Sequence, residues 1–128
     1  MGFVYDRFSR KPIYAMICSL HGMKKYILAM TTCPKSRSKD LARILVEKRV
    51  CACVNTIPHV ESIYHWKNEV VTDTESILIM KTESQFENAL RETIIEHHPY
   101  EVPEFIVLNL ESGSKAYLDW ISMSILEQ

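Results

Sequence analysis

A chain of 128 residues in which 15 Lys and Arg balance 16 Asp and Glu argues for one domain and against a nucleic-acid footprint or a polybasic membrane patch. A domain of this size buries roughly two-thirds of its unfolded surface, so folding requires neither a disulfide nor a structural metal. No stretch approaches the roughly 20 apolar residues of a membrane span. Cys18, Cys33, Cys51 and Cys53 lack paired C-x-x-C spacing and read as reduced thiols of a cytoplasmic protein.

Residues 1–22 mix Arg7, Arg10 and Lys11 with Phe3, Tyr5, Phe8 and Tyr14, and the apolar run 13–20 has no small-residue cleavage site after it. They read as a poorly ordered extension ahead of a domain over 23–128. Lys24 to Thr32 is an apolar run bounded by Pro34, hence a buried strand. Leu41, Ile44, Leu45 and Lys48 recur at helical spacing over Ser36 to Lys48, with Ser36 or Ser38 available to cap the start. A second strand from Val50 continues through Val60, Ile63 and Tyr64 to Trp66, bent near Pro58. Lys67-Asn68 reads as a tight turn and Val70 to Lys81 as the returning strand.

Ser84-Gln85-Phe86-Glu87 has the pattern of a capping box. The helix it opens would bury Phe86, Leu90 and Ile94, and Pro99 stops it. Glu104 to Leu110 makes a fourth strand. Ser114 then caps a last helix whose apolar stripe is Tyr117, Leu118, Ile121 and Ile125. The order is β-α-β-β-α-β plus one helix, an α+β ferredoxin-like arrangement. Both main helices cover one face of such a sheet, so the apolar residues of the long hairpin must meet the last helix or another subunit.

Five blocks resemble the CutA family. Glu47-Lys48-Arg49-Val50-Cys51-Ala52-Cys53-Val54-Asn55 is similar to its helix-one to strand-two junction. Ser62-Ile63-Tyr64-His65-Trp66 resembles "S-x-Y-x-W", and Ile79-Met80-Lys81-Thr82 resembles "I-x-K-T". His97-His98-Pro99-Tyr100-Glu101-Val102-Pro103-Glu104 follows "H-P-Y-x-x-P-E", and Tyr117-Leu118-Asp119-Trp120 follows "Y-L-x-W". The resemblance runs from about Met23 to the C-terminus and implies a ferredoxin-like homotrimer akin to PII signalling proteins, a role in divalent cation tolerance, copper above all, and no enzymatic activity. The chain departs from the pattern at Met30, where some bacterial members carry a copper-binding cysteine, at Asn68 in place of a turn Gly, and at Cys51 in place of Ala.

The resemblance places metal ligands at His97 and Glu104; imidazole and carboxylate suit copper or zinc. Met30, Cys33 and His98 are further candidates, although His98 also suits a role fixing the Pro99 corner. Cys51 and Cys53 alternate on one strand face, where a soft-metal pair competes with plain packing. Tyr64, Trp66, Pro99, Tyr100, Pro103 and Trp120 read as structural or intersubunit positions, because no basic groove accompanies the aromatics. Lys67 and Lys81 suit either an anionic ligand in a PII-like cleft or ordinary ion pairs. The chain therefore reads as a trimeric, PII-like protein that binds divalent metal ions, copper before zinc, in metal homeostasis or signalling. Its expected partners are its own copies, metal ions and an unidentified protein, with no nucleic acid and no membrane span. The alternative is a PII-type small-molecule sensor, or a trimeric scaffold with incidental metal binding. Neither a poised nucleophile motif nor a Gly-rich phosphate loop favours an enzyme.

Overall fold

The computed structural model describes residues 25–126; the expected boundary at 22/23 and Cys18 lie outside them. Strands β1 (Tyr26–Cys33), β2 (Cys53–Trp66), β3 (Glu69–Glu83) and β4 (Ile106–Asn109) alternate with helices α1 (Lys35–Glu47), α2 (Glu87–His97) and α3 (Lys115–Leu126). The strands form one antiparallel sheet in the order β2-β3-β1-β4. This is the split βαβ arrangement followed by a helix.

Period-two alternation sorts the sheet into two faces. Ala29 and Cys33 of β1 and Leu78 and Met80 of β3 point to one side, where they pack with Leu41 and Leu45 of α1 and Leu90 and Ile94 of α2. Each of those large side chains is essentially sealed from solvent, and burial of one such side chain stabilises by about 1.5–3 kcal/mol. The other face carries Leu28, Met30, Ile77, Ile79 and Lys81. Helix α3 covers one end of that face, where the Tyr26 hydroxyl lies 2.7 Å from Ser122 Oγ and Ser122 also bonds the buried carboxylate of Glu83. Beyond α3 the face is open, and Ile57, Ile106 and Leu108 are exposed.

β1 pairs with β3 only as far as Cys33↔Ser76, whereas β2 and β3 stay paired out to Trp66↔Glu69. The outer half of the hairpin, from Val60 to Glu75, therefore stands clear of β1. Lys67 (φ 50) and Asn68 (φ 66) both adopt left-handed backbone at its tip, as a two-residue type I′ turn requires. The bend near Pro58 is a bulge between Ile57 and Val60, with His59 at φ 60.

Two capping expectations fail. Pro34 occupies the N-cap of α1, which places Ser36 inside the first turn, and Ser38 Oγ donates to the Lys35 carbonyl at 2.9 Å instead of accepting from a helix N–H. Ser84 does not form a capping box. Its N–H is given to the Lys25 carbonyl at 2.9 Å, a 3-10 turn spans Ser84–Phe86, and α2 begins only at Glu87. Ser114 does cap α3, accepting the Tyr117 N–H on its Oγ at 3.4 Å. β2 starts at Cys53, not at Val50, because Arg49 (φ 57) turns the chain out of α1 and Val50 and Cys51 drop into the core first. No helix among the described residues is long and apolar enough to cross a membrane.

Candidate metal corner and its neighbours

α2 ends at His97, and the chain then wraps round the end of the sheet from the helical face towards the open one. Pro99 has no N–H to continue the helix. His98 sits at extended backbone with its side chain buried. The Tyr100 N–H donates to His98 Nδ1 at 3.0 Å, so Nε2 carries the proton and donates it to the Thr32 carbonyl at 2.7 Å. The corner is thereby pinned to the end of β1, with the His98 and Tyr100 rings tilted at 4.9 Å. With both nitrogens engaged, His98 has no lone pair left for a metal.

Tyr100 carries the connection onto β3, its hydroxyl donating to Glu75 Oε2 at 2.7 Å. Burial first, then that bond and the charge of Glu75, push the Tyr100 phenol upward. Glu75 is only 5 % exposed and its charge reaches two more groups. The Glu104 carboxyl is raised by partial burial and then by Glu75, and the Cys33 thiol is raised by burial and then by Glu75, with Arg37 opposing. The Glu75 carboxylate beside the Glu104 carboxyl makes a local demand for positive charge.

His97 stands apart from this group. Its Nε2 is buried and without a hydrogen-bond partner; Glu96 Oε2, at 3.8 Å, is too far to serve. Its carbonyl accepts from Arg37 at 3.3 Å. An imidazole nitrogen with nothing to bind fits a metal ligand chemically. One subunit does not complete the set, however: among the described residues no three of His, Cys, Asp and Glu stand close enough to share an ion. Met30 faces the open side of the sheet while Cys33 is sealed on the helical side, so the two cannot join in one site. Cys51 is buried in the core with its thiol raised to about 12, mainly by burial, and Cys53 is half-buried at the start of β2.

The aromatic positions divide between the hairpin and the last helix. Trp66 and Tyr64 lie on the exposed hairpin, where Lys67 Nζ sits 5.8 Å from the Trp66 ring and Tyr64 donates to Asp73. Trp120 stacks on Tyr117 with centroids 5.5 Å apart. Pro103 lines a cleft of about 530 Å³ between α2 and β4, together with Arg91, Ile95, Val102, Phe105 and Val107. Glu75 is the residue that sequence reasoning missed. The available signal was an acid placed within the β3 run, just before the apolar Ile77–Met80 segment.

A split βαβ sheet with helices on one face, a half-open opposite face and a polar His-Pro corner defines a ferredoxin-like subunit of the PII-like class. A 39 % identical example is the PII-like protein CutA of Nostoc, solved in apo form, which matches with a TM-score of 0.73 over 80 % of this chain and 97 % of that one. The chain belongs to the CutA1 divalent ion tolerance protein family, whose model matches residues 27–124. It is 39 % identical to the divalent-cation tolerance protein CutA of Thermus thermophilus over 74 % of this chain and 92 % of that protein. It is 46 % identical to Protein CutA of the mouse over 73 % of this chain but only 53 % of that protein, so it spans about half the length of that mammalian relative.

Proposed function

We propose that this chain acts in divalent cation tolerance as a homotrimer that binds a divalent metal ion, copper before zinc, with His97 as its leading ligand. The observation that carries the reading is the buried, unpartnered Nε2 of His97 in a chain of this family. Glu104 is the second ligand, because a cation would favour the ionised form of a carboxyl that partial burial, and then the charge of Glu75, push upward. Since one subunit does not complete a donor set, the remaining ligands come from a second copy. Imidazole with carboxylate suits both ions, and the general affinity order puts Cu(II) above Zn(II).

Trimer formation is supported by the open sheet face and by Ile57, Ile106 and Leu108 exposed on it, with Ile63, Trp66 and Val70 bare on the projecting hairpin. Such a surface needs covering, and the exposed β2 and β4 edges offer unpaired backbone groups for a neighbour. Tyr64, Trp66 and Trp120 belong to that contact in this reading, with Pro99, Tyr100 and Pro103 shaping the corner beside it. Cytoplasmic residence is part of the same proposal and is supported by the free thiols of Cys33, Cys51 and Cys53. No catalytic role is assigned.

Native mass spectrometry of the protein titrated with Cu(II), Cu(I) and Zn(II), with His97→Ala alongside, tests the proposal. One metal per subunit on a trimer, lost in the variant, is the expected result. A trimer that takes up no metal above background would overturn the metal half, and a stable monomer would overturn the assembly. A second reading, a PII-type small-molecule sensor, is favoured by Lys81, a cation that no carboxylate pairs with among the described residues.

A further inference from the structure

Lys81 lies on the open face of β3, in register with Leu28 of β1 and Cys53 of β2. Lys81 is half-buried, and its ammonium group lies 5.6 Å from the centre of the ring of Tyr117, in the first turn of α3. The Tyr117 ring is its partner, and among the described residues no carboxylate pairs with it. The acids around it are engaged elsewhere. Asp119 is held by Lys115 at 2.7 Å, and Glu83, two residues further along the same strand face, accepts from Gln85 and Ser122.

The Tyr117 hydroxyl gives the second, independent observation. It is buried and has no hydrogen-bond partner. Buried polar groups are nearly always paired, so an orphan asks what fills the place beside it. A phenol O–H and an ammonium are both donors, and the Lys81–Tyr117 contact brings them together where β3 meets the first turn of α3. Two donors of one cation–π pair with no acceptor between them call for one, and a charged acceptor answers the ammonium best.

We propose that Lys81 and the Tyr117 hydroxyl form a binding site for a small oxyanion, the phosphate or carboxylate group of a soluble metabolite, at the edge of the sheet face that subunits share. Lys81 supplies the charge and Tyr117 the direction. Trp120, stacked on the Tyr117 ring, lies close enough to report on occupancy. The site rests on the sensor reading and is independent of His97, so metal uptake without anion binding would fail this inference and leave the metal reading intact.

Trp120 fluorescence in a Trp66→Phe background, titrated with inorganic phosphate and separately with citrate against chloride at constant ionic strength, tests the proposal. Saturable binding of either probe is expected, and which probe binds tells the phosphate class from the carboxylate class. Lys81→Met should weaken it at least about tenfold, Tyr117→Phe several-fold, and Lys81→Arg should largely retain it, with melting and particle mass unchanged in all three. Absence of saturable binding of both probes, or binding undiminished in Lys81→Met, overturns the proposal. Dissociation of the assembly in Lys81→Met, with no anion bound by the parent protein, also overturns it and makes Lys81 a subunit contact.

Discussion

His97 and His98 are adjacent in sequence and opposite in structural role, which makes them a sharp test of the corner. His98→Ala removes two hydrogen bonds, from Nε2–H to the Thr32 carbonyl at 2.7 Å and from the Tyr100 N–H to Nδ1 at 3.0 Å. Deleting one partner costs the desolvation of the group left behind, about 1–3 kcal/mol each, and both orphaned groups are backbone at a part-buried corner. The Tyr100 side keeps some access to water, so the expected loss is about 2–4 kcal/mol. His98→Asn, whose amide oxygen can still accept the Tyr100 N–H, should recover part of it. His97→Ala should cost less than about 1 kcal/mol, because that ring has no hydrogen bond to lose. Urea unfolding followed by circular dichroism, at one protein concentration and with a chelator present, reads all three as midpoint shifts at constant slope. If His97→Ala proves as damaging as His98→Ala, or His98→Ala is nearly silent, the pinning of the corner described here is wrong.

Three further outcomes follow from the packing. Burial holds the Cys51 thiol at about 12 against an ordinary 9.0, so above pH 9 the unfolded chain sheds a proton that the folded one keeps. Stability then falls as pH rises from 9 towards 12, by up to about 1.4 kcal/mol per unit; urea midpoints should fall less steeply in Cys51→Ala, and parallel pH profiles would refute the cause. Ile79→Asp, on the open face, should leave a folded subunit that sediments as a monomer, whereas Leu78→Asp, on the sealed face, should not fold; an intact trimer in the first variant would place the contact elsewhere. Tyr100→Phe strips a donor from the buried Glu75 carboxylate and should cost about 1–3 kcal/mol, partly restored by adding Glu75→Gln; an unchanged thermal midpoint would remove Tyr100 from the network.

The element order was legible because the signals were local and strong: β-branched runs, helical spacing of Leu41 and Leu45, and Pro34 and Pro99 as punctuation. The two capping errors have one origin. Ser36 and Ser84 have the right chemistry for caps, but Pro34 set the helix start one residue earlier, and a tertiary bond from Ser84 to Lys25 took the N–H that the box needed. Pattern reading cannot see a competitor that is distant in sequence. The corner was legible in outline, since His-Pro at a helix end signals a pinned turn. That His98 would be used up by Thr32 and Tyr100 while His97 stayed free depended on which ring turned inward, a choice settled by packing. Glu75 passed unnoticed because an acid in a strand ordinarily faces water, and only the fold brings Tyr100 over it.

The bulge at His59 has a consequence for how this strand can change. Before it, Cys53, Asn55 and Ile57 lie opposite Lys81, Ile79 and Ile77; after it, Val60, Ser62, Tyr64 and Trp66 lie opposite Glu75, Asp73, Val71 and Glu69. Odd-numbered residues hand the same side of the ribbon over to even-numbered ones at that point. Losing the single residue His59 would remove only the extra residue and keep Val60 to Trp66 on their partners, whereas losing one residue between Val60 and Tyr64 would act as a frameshift in three dimensions: Tyr64 and Trp66 would leave their side and Ile63 and His65 would replace them. The tip could keep its turn and still present the wrong surface, so tolerance to a one-residue deletion along β2 should be greatest at the bulge and be lost in the outer strand beyond it.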